Sequence, residues 1–144
     1  MKPAAEPALT WLSLPGAPES LDPLRNFVLA QALAAGLDEA LRARIDLVVE
    51  EVLLNIFHYA FDKGQAGTVA VGCGKAPEGE FLMRVIDPGR PFNPLAQPPP
   101  DLSLDIADRN IGGLGILLAR QMSSAMTYRR RDDQNILDIL FASR

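Results

Sequence analysis

Residues 38–61 constrain the chain more than any other stretch. Leu41, Ile45, Val48, Val49, Val52, Leu53 and Ile56 recur there at the three- and four-residue steps of a helix. That spacing predicts one long helix whose apolar stripe must be buried against a second layer. Asp38 stands at the N-cap position, and Asp62-Lys63-Gly64 breaks the pattern. The rest of the chain offers the second layer. Residues 8–14 alternate, with Leu9, Trp11 and Ser13 on one side and Thr10, Leu12 and Leu14 on the other, which predicts a strand closed by Pro15-Gly16. Leu21, Leu24, Val28, Leu29 and Ala32 predict a helix over residues 19–35, ended by Gly36. Strands are expected near 67–74 and 80–87, and again near 125–131 and 135–141 around Asp132-Asp133. A short helix is expected from Leu114 to about Met122. Residues 88–113 hold six prolines and fit no regular element, so they read as a functional lid or a disordered connection.

With 144 residues, 48% of them hydrophobic, the chain suits a single packed domain, expected over residues 8–144 behind a flexible tail at 1–7. The net charge is -4 and no run of like charge exceeds Arg129-Arg130-Arg131, which argues against direct nucleic-acid binding. No apolar run approaches a membrane span, and residues 1–6 lack a signal-peptide core, so a cytoplasmic protein without membrane contact is the default. One cysteine, Cys73, and one histidine, His58, exclude an intrachain disulfide, a cysteine zinc site and a multi-histidine metal centre. Cys73 lies in an alternating apolar segment and reads as a small core residue. Trp11 and Tyr128 read as core or edge packing in their strands.

Three pieces carry chemistry. The helix has a second face with Arg44, Glu51, Asn55, His58 and Asp62 on or near it. Glu51 and Asn55 are four apart, so their side chains are neighbours. A carboxylate can take a proton, and an amide oxygen is a hard ligand for Mg²⁺. On its own the pair also reads as a solvated helix face. Val85-Ile86-Asp87-Pro88-Gly89 runs a strand into an acid and a tight turn. An aspartate there can accept from an exocyclic amine such as that of adenine, and glycine permits close approach, although Asp, Pro and Gly also make ordinary turns. Gly112-Gly113-Leu114-Gly115 opens the short helix. A helix start with unpaired amides favours phosphate, and a flexible hinge is the plainer reading. The segment matches neither GxGxxG nor GxxxxGK[ST].

The order of these pieces resembles the GHKL ATP-binding fold. Glu50-Glu51-Val52-Leu53-Leu54-Asn55-Ile56-Phe57-His58-Tyr59-Ala60-Phe61, Asp87-Pro88-Gly89-Arg90-Pro91-Phe92-Asn93-Pro94 and Gly112-Gly113-Leu114-Gly115-Ile116 look like the three boxes of the anti-sigma-factor serine/threonine kinases. Tyr128-Arg129-Arg130 with Asn135-Ile136-Leu137 looks like that family's last hairpin, and the resemblance covers roughly residues 8–142. It implies an α/β (α+β) two-layer sandwich, a mixed, mainly antiparallel sheet covered on one face by helices.

By the same resemblance, ATP and Mg²⁺ are the cofactors. Glu51 is the expected catalytic base and Asn55 the metal ligand. Asp87 reads the adenine amine, Gly89 gives the ring room, and Gly112, Gly113, Leu114 and Gly115 form the phosphate-facing segment, with Gly113 and Gly115 presenting amides. Arg109 reaches a phosphate from a mobile lid over residues 91–111, or is merely solvated. Glu50 reads as a solvated neighbour, and His58 as a polar site residue or a partly buried one satisfied by backbone. Three departures stand out: Pro91 replaces a second glycine, residues 121–125 lack an acid common there, and Asp138 takes a place where a small hydroxyl residue is frequent. A carboxylate at 138 is expected to reshape the adenine end and weaken nucleotide affinity. The implied function is an ATP-dependent serine/threonine kinase of a partner-switching system. It phosphorylates a STAS-type anti-sigma-factor antagonist and sequesters a sigma factor or similar regulator. The alternative is a nucleotide-binding interaction module without useful turnover. A homodimer stays open.

Overall fold

The computed structural model describes residues 7–61, 67–96 and 111–142, and within the last stretch side chains from Gly115 onward. The tail over residues 1–6, the breaker Asp62-Lys63-Gly64, Arg109 and most of the expected lid lie outside the described residues.

Strand β1 (Leu9–Pro15) is followed by a 3-10 turn at Pro18–Ser20 and helix α1 (Leu21–Ala34). Gly36 ends α1 with φ +81°. Its N–H bonds the Leu33 carbonyl at 3.0 Å and that of Leu37 bonds the Ala32 carbonyl at 3.2 Å. These are the two bonds of a Schellman cap, which needs a left-handed residue at that point. Helix α2 (Glu39–Tyr59) starts as its sequence requires, with the Asp38 side chain accepting from the Leu41 amide at 2.8 Å. Its stripe from Leu41 to Ile56 is buried throughout.

Strands β2 (Thr68–Lys75) and β3 (Phe81–Asp87) form a hairpin, and β4 (Ala125–Arg131) and β5 (Gln134–Phe141) another. Between them lie a 3-10 turn at Pro94–Ala96 and helix α3 (Ile111–Met122). The sheet order is β1-β2-β3-β5-β4. All four pairings are antiparallel, so the mixed character expected of the sheet is absent among the described strands. The β4–β5 turn places Asp132 and Asp133 at φ 53° and 61°. Two successive positive φ values match the right-handed strand twist, and aspartate tolerates them better than most residues.

Alternation divides the sheet. Val69, Val71, Cys73, Phe81, Met83, Val85, Leu137, Ile139 and Phe141 face the helices and join Leu24, Val28, the α2 stripe, Ile116 and Ala119 in one core. Cys73 is 1% exposed, and burial pushes its thiol up to about 12, as expected of an inert packing residue. Trp11 sits on the opposite face of edge strand β1, 43% exposed, over Gly72, where a Cβ would meet the indole. It is edge packing and not core.

Candidate functional site

The C-terminal half of α2 organises the site. Glu51 points at α3: a Cβ added at Gly115 would run into its carboxylate. Burial raises the Glu51 carboxyl from its ordinary value, and the charge of Glu50 adds to the effect. Glu50 remains largely solvated, with the Arg25 guanidinium of α1 4.0 Å away.

Asn55 is 5% exposed. Its Nδ2 donates to the Glu51 carbonyl at 3.0 Å, which fixes the amide orientation and turns Oδ1 away. Oδ1 is buried with no hydrogen-bond partner among the described residues. A buried acceptor without a donor costs about 1–3 kcal/mol. An orphaned amide oxygen one helical turn from a carboxylate fits a hard divalent cation such as Mg²⁺, which takes oxygen ligands.

At the far end of α2, the turn after β3 is tied to the helix. Arg90 donates its backbone N–H to the Ala60 carbonyl at 2.9 Å and its Nε to the Tyr59 carbonyl at 2.7 Å. Phe92 stacks on Tyr59 with ring centroids 5.5 Å apart. Gly89 lies so close to Ala60 that a Cβ would strike that carbonyl and come within 2.9 Å of Asp87 Oδ1. The glycine therefore makes room first for the protein's own helix end, a different reason from the one expected. Arg130 of β4 donates to the Gly89 carbonyl at 2.7 Å.

Asp87 is 2% exposed. Its Oδ1 accepts from the Gly89 amide at 2.9 Å and from Asn135 Nδ2 at 3.0 Å. Oδ2 has no hydrogen-bond partner among the described residues, which leaves an acceptor for an exocyclic amine. Burial raises the Asp87 carboxyl, and the bonds from Asn135 and Gly89 and the charge of Arg130 oppose it.

Several expectations change. Helix α3 begins at Ile111, three residues before Leu114, so Gly112 and Gly113 lie in its first turn. The amides without an intrahelical partner are then those around residues 111–113. In a regular helix with that start the Gly115 amide pairs with the Ile111 carbonyl, and the space beside Gly115 is filled by the Glu51 carboxylate. Asp138 does not lie beside Asp87, where the adenine end was expected. It lies on the helix-free face of the sheet, bound by Arg84 at 2.7 and 2.9 Å and by Arg129 at 3.2 Å. Alternation explains this, since its neighbours Leu137 and Ile139 point into the core. His58 is exposed and meets Tyr59 edge-on with centroids 4.5 Å apart. Asn135, Tyr128 and Arg130 join the site without having been expected there. The available signal was an asparagine on the core-facing register of a strand, because a buried polar residue needs a reason.

A cavity of about 490 Å³ opens at the other end of β3, lined by Gln31, Leu37, Lys75, Glu80 and Phe81 among others. It shares no residue with this site and, among the described residues, holds no buried acid or orphaned acceptor. No described helix is long and apolar enough to cross a membrane.

The serine/threonine-protein kinase BtrW of Bordetella bronchiseptica is 29% identical over 99 residues, which is 69% of each chain. The histidine kinase domain of the blue-light activated histidine kinase EL346 of Erythrobacter litoralis superposes with a TM-score of 0.53 at 19% identity. That match covers 96% of this chain and 69% of the other, and it speaks to fold alone. The model of the histidine kinase-like ATPase domain matches residues 14–141. With nearly its whole length matched, the chain belongs to the histidine kinase-like ATPase domain family, whose ligand is ATP.

Proposed function

We propose that this domain transfers the γ-phosphate of ATP to a serine or threonine of a STAS-type anti-sigma-factor antagonist, and that it binds a sigma factor or similar regulator in a partner-switching system. The observation that carries the catalytic half is the orphaned Oδ1 of Asn55 one helical turn from the Glu51 carboxylate. The similarity to BtrW, a serine/threonine-protein kinase by name, supports the choice of acceptor.

The residues divide the work along α2. Glu51 and Ala60 are nine residues apart, about 14 Å along a helix, a span suited to an extended nucleoside triphosphate. Asp87 takes the adenine amine on Oδ2. The first-turn amides of α3 meet phosphate oxygens. Asn55 Oδ1 would hold Mg²⁺, whose charge offsets that of the phosphates. Glu51 accepts the hydroxyl proton of the acceptor serine or threonine. Its raised pKa brings it nearer the working pH, where a base is most effective.

The test is single-turnover transfer from labelled ATP, with Mg²⁺, to the STAS protein encoded nearest to this one. Glu51→Gln keeps volume and helix propensity but cannot take the proton. ATP binding should stay within a few-fold, and transfer should fall by about 10²–10⁴. Loose phosphoryl-transfer transition states ask little of a base, so a fall near the lower figure agrees with the proposal. An unchanged rate removes Glu51 from the mechanism. Tight ATP binding by the parent without transfer to any STAS protein moves the function to a nucleotide-dependent interaction module.

A further inference from the structure

Asn135, the second residue of β5, is 4% exposed, and its whole hydrogen-bonding capacity is used. Nδ2 donates to Asp87 Oδ1 at 3.0 Å and to the Arg90 carbonyl at 2.8 Å. Oδ1 accepts from the Phe92 amide at 3.1 Å and from the Tyr128 hydroxyl. Two donors and two lone pairs are all that an amide side chain has. The pattern also fixes its orientation, since a flipped amide would set oxygen against two acceptors and nitrogen against two donors. One side chain thus joins β5, β4 and the turn after β3. The registers of β5 with its two neighbours bring it there, pairing Asn135 with Arg130 of β4 on one side and Asp87 of β3 on the other. A slip of one residue would turn it to the opposite face.

We propose that Asn135 is the positioning residue of the adenine-reading carboxylate: it holds Oδ1 of Asp87 and both ends of the turn, leaving Oδ2 as the oxygen presented to the base. The inference rests on the reading of Asp87 as the adenine acceptor. Asn135 has no spare donor or acceptor for a nucleotide, so it acts through Asp87 and does not itself touch the ligand. Its bond favours the ionised carboxylate, as do the Gly89 amide and the Arg130 charge, against the effect of burial. Arg130 of β4 is the charged group acting on Asp87 among the described residues, and the α2 groups against the turn, the Tyr59 and Ala60 carbonyls, do not titrate.

This sets positioning apart from simple structural support. Removing the Asn135 donor raises the Asp87 pKa further. The affinity lost should then depend on pH, whereas a general loosening of the turn weakens binding equally at every pH. The experiment is calorimetry of Mg-ATP binding from acid to mildly alkaline pH on the parent, Asn135→Ala, Tyr128→Phe and Asp87→Asn. Carbon-13 NMR titration of the Asp87 carboxyl accompanies it in the first three. Comparing variants at each pH cancels the titration of ATP itself.

For Asn135→Ala the expected loss near neutral pH is roughly tenfold, narrowing as pH rises, with the Asp87 midpoint moved upward. Tyr128→Phe removes only one bond to Asn135. It should act in the same direction by a few-fold, and it decides the matter if Asn135→Ala does not fold. No loss, a loss that is the same at all pH, or an unmoved Asp87 midpoint overturns the inference while leaving the reading of Asp87 intact. Asp87→Asn binding as tightly as the parent overturns that reading, and this inference with it.

Discussion

At the residue scale, two side chains hold acceptor oxygens that no described residue meets. Asn55 Oδ1 is buried without a partner among the described residues, and Asp87 Oδ2 stands free while Oδ1 is held twice. For the buried Asn55 Oδ1 this is a cost in the free protein that a hard cation would remove. For Asn55 this separates two kinds of binding. Asn55→Ala should weaken Mg-ATP binding by roughly tenfold or more, the scale of a lost charge-assisted contact. Binding of ATP in the presence of a chelator should change by no more than a few-fold, because the adenine contacts remain. Calorimetry with and without Mg²⁺ gives the ratio. Equal losses in both would mean that Asn55 only shapes the helix.

At the element scale, the contact between α2 and α3 sets where Glu51 sits. Gly115 leaves the space that the carboxylate occupies, and the obstacle to a Cβ there is the flexible end of one side chain. Gly115→Ala should therefore be tolerated by the fold. Alanine in a helix interior gains up to about 1 kcal/mol over glycine, which offsets the cost of moving Glu51. Thermal unfolding should show a Tm unchanged or slightly higher. Single-turnover phosphate transfer should fall at least about tenfold, part of the loss expected when a positioned base is displaced. A variant that keeps full transfer would show that Glu51 does not act from its observed place. The same helix start also explains why three glycines lie so near one another. Gly112 and Gly113 belong to the first turn, where amides are unpaired, and Gly115 to the packed face behind it.

At the scale of the whole molecule, Asp87 links stability to pH. Its carboxyl holds a proton more tightly in the folded than in the unfolded chain, chiefly through burial. The folded state thus binds more protons across that range. The stability from the protonated form is full below the ordinary aspartate pKa and is lost as pH rises through the raised one. At neutral pH the buried charge is a net cost to the nucleotide-free protein. Asp87→Asn keeps the acceptor for Gly89 and Asn135 and removes the charge. It should raise the Tm of the free protein at neutral pH, and the gain should shrink in acid. The same variant should bind ATP about 10- to 150-fold more weakly. Thermal unfolding across a pH series, with and without ATP, measures both effects. A Tm lowered at neutral pH would contradict the account.

Local spacing and cap residues were enough for most of the elements, although not for the start of α3. The α2 stripe, the Asp38 cap, the Gly36 stop and the two late hairpins were legible because each rests on spacing within a few residues. Glu51 and Asn55 were legible as neighbours for the same reason, being one turn apart. What local spacing cannot carry is the register between strands far apart in the chain. That register put Asn135 beside Asp87 across a separation of 48 residues, and sent Asp138, three residues on, to the other face with Arg84. Helix-to-helix distance likewise decided that Gly115 serves Glu51, and the close approach of the turn to Ala60 decided what Gly89 is for. The sequence by itself determined which segments are helix or strand and which residue types they offer. Only the tertiary structure decided which of those residues meet, because a strand turns its side chains over at every residue and a contact between elements depends on packing that no local pattern encodes.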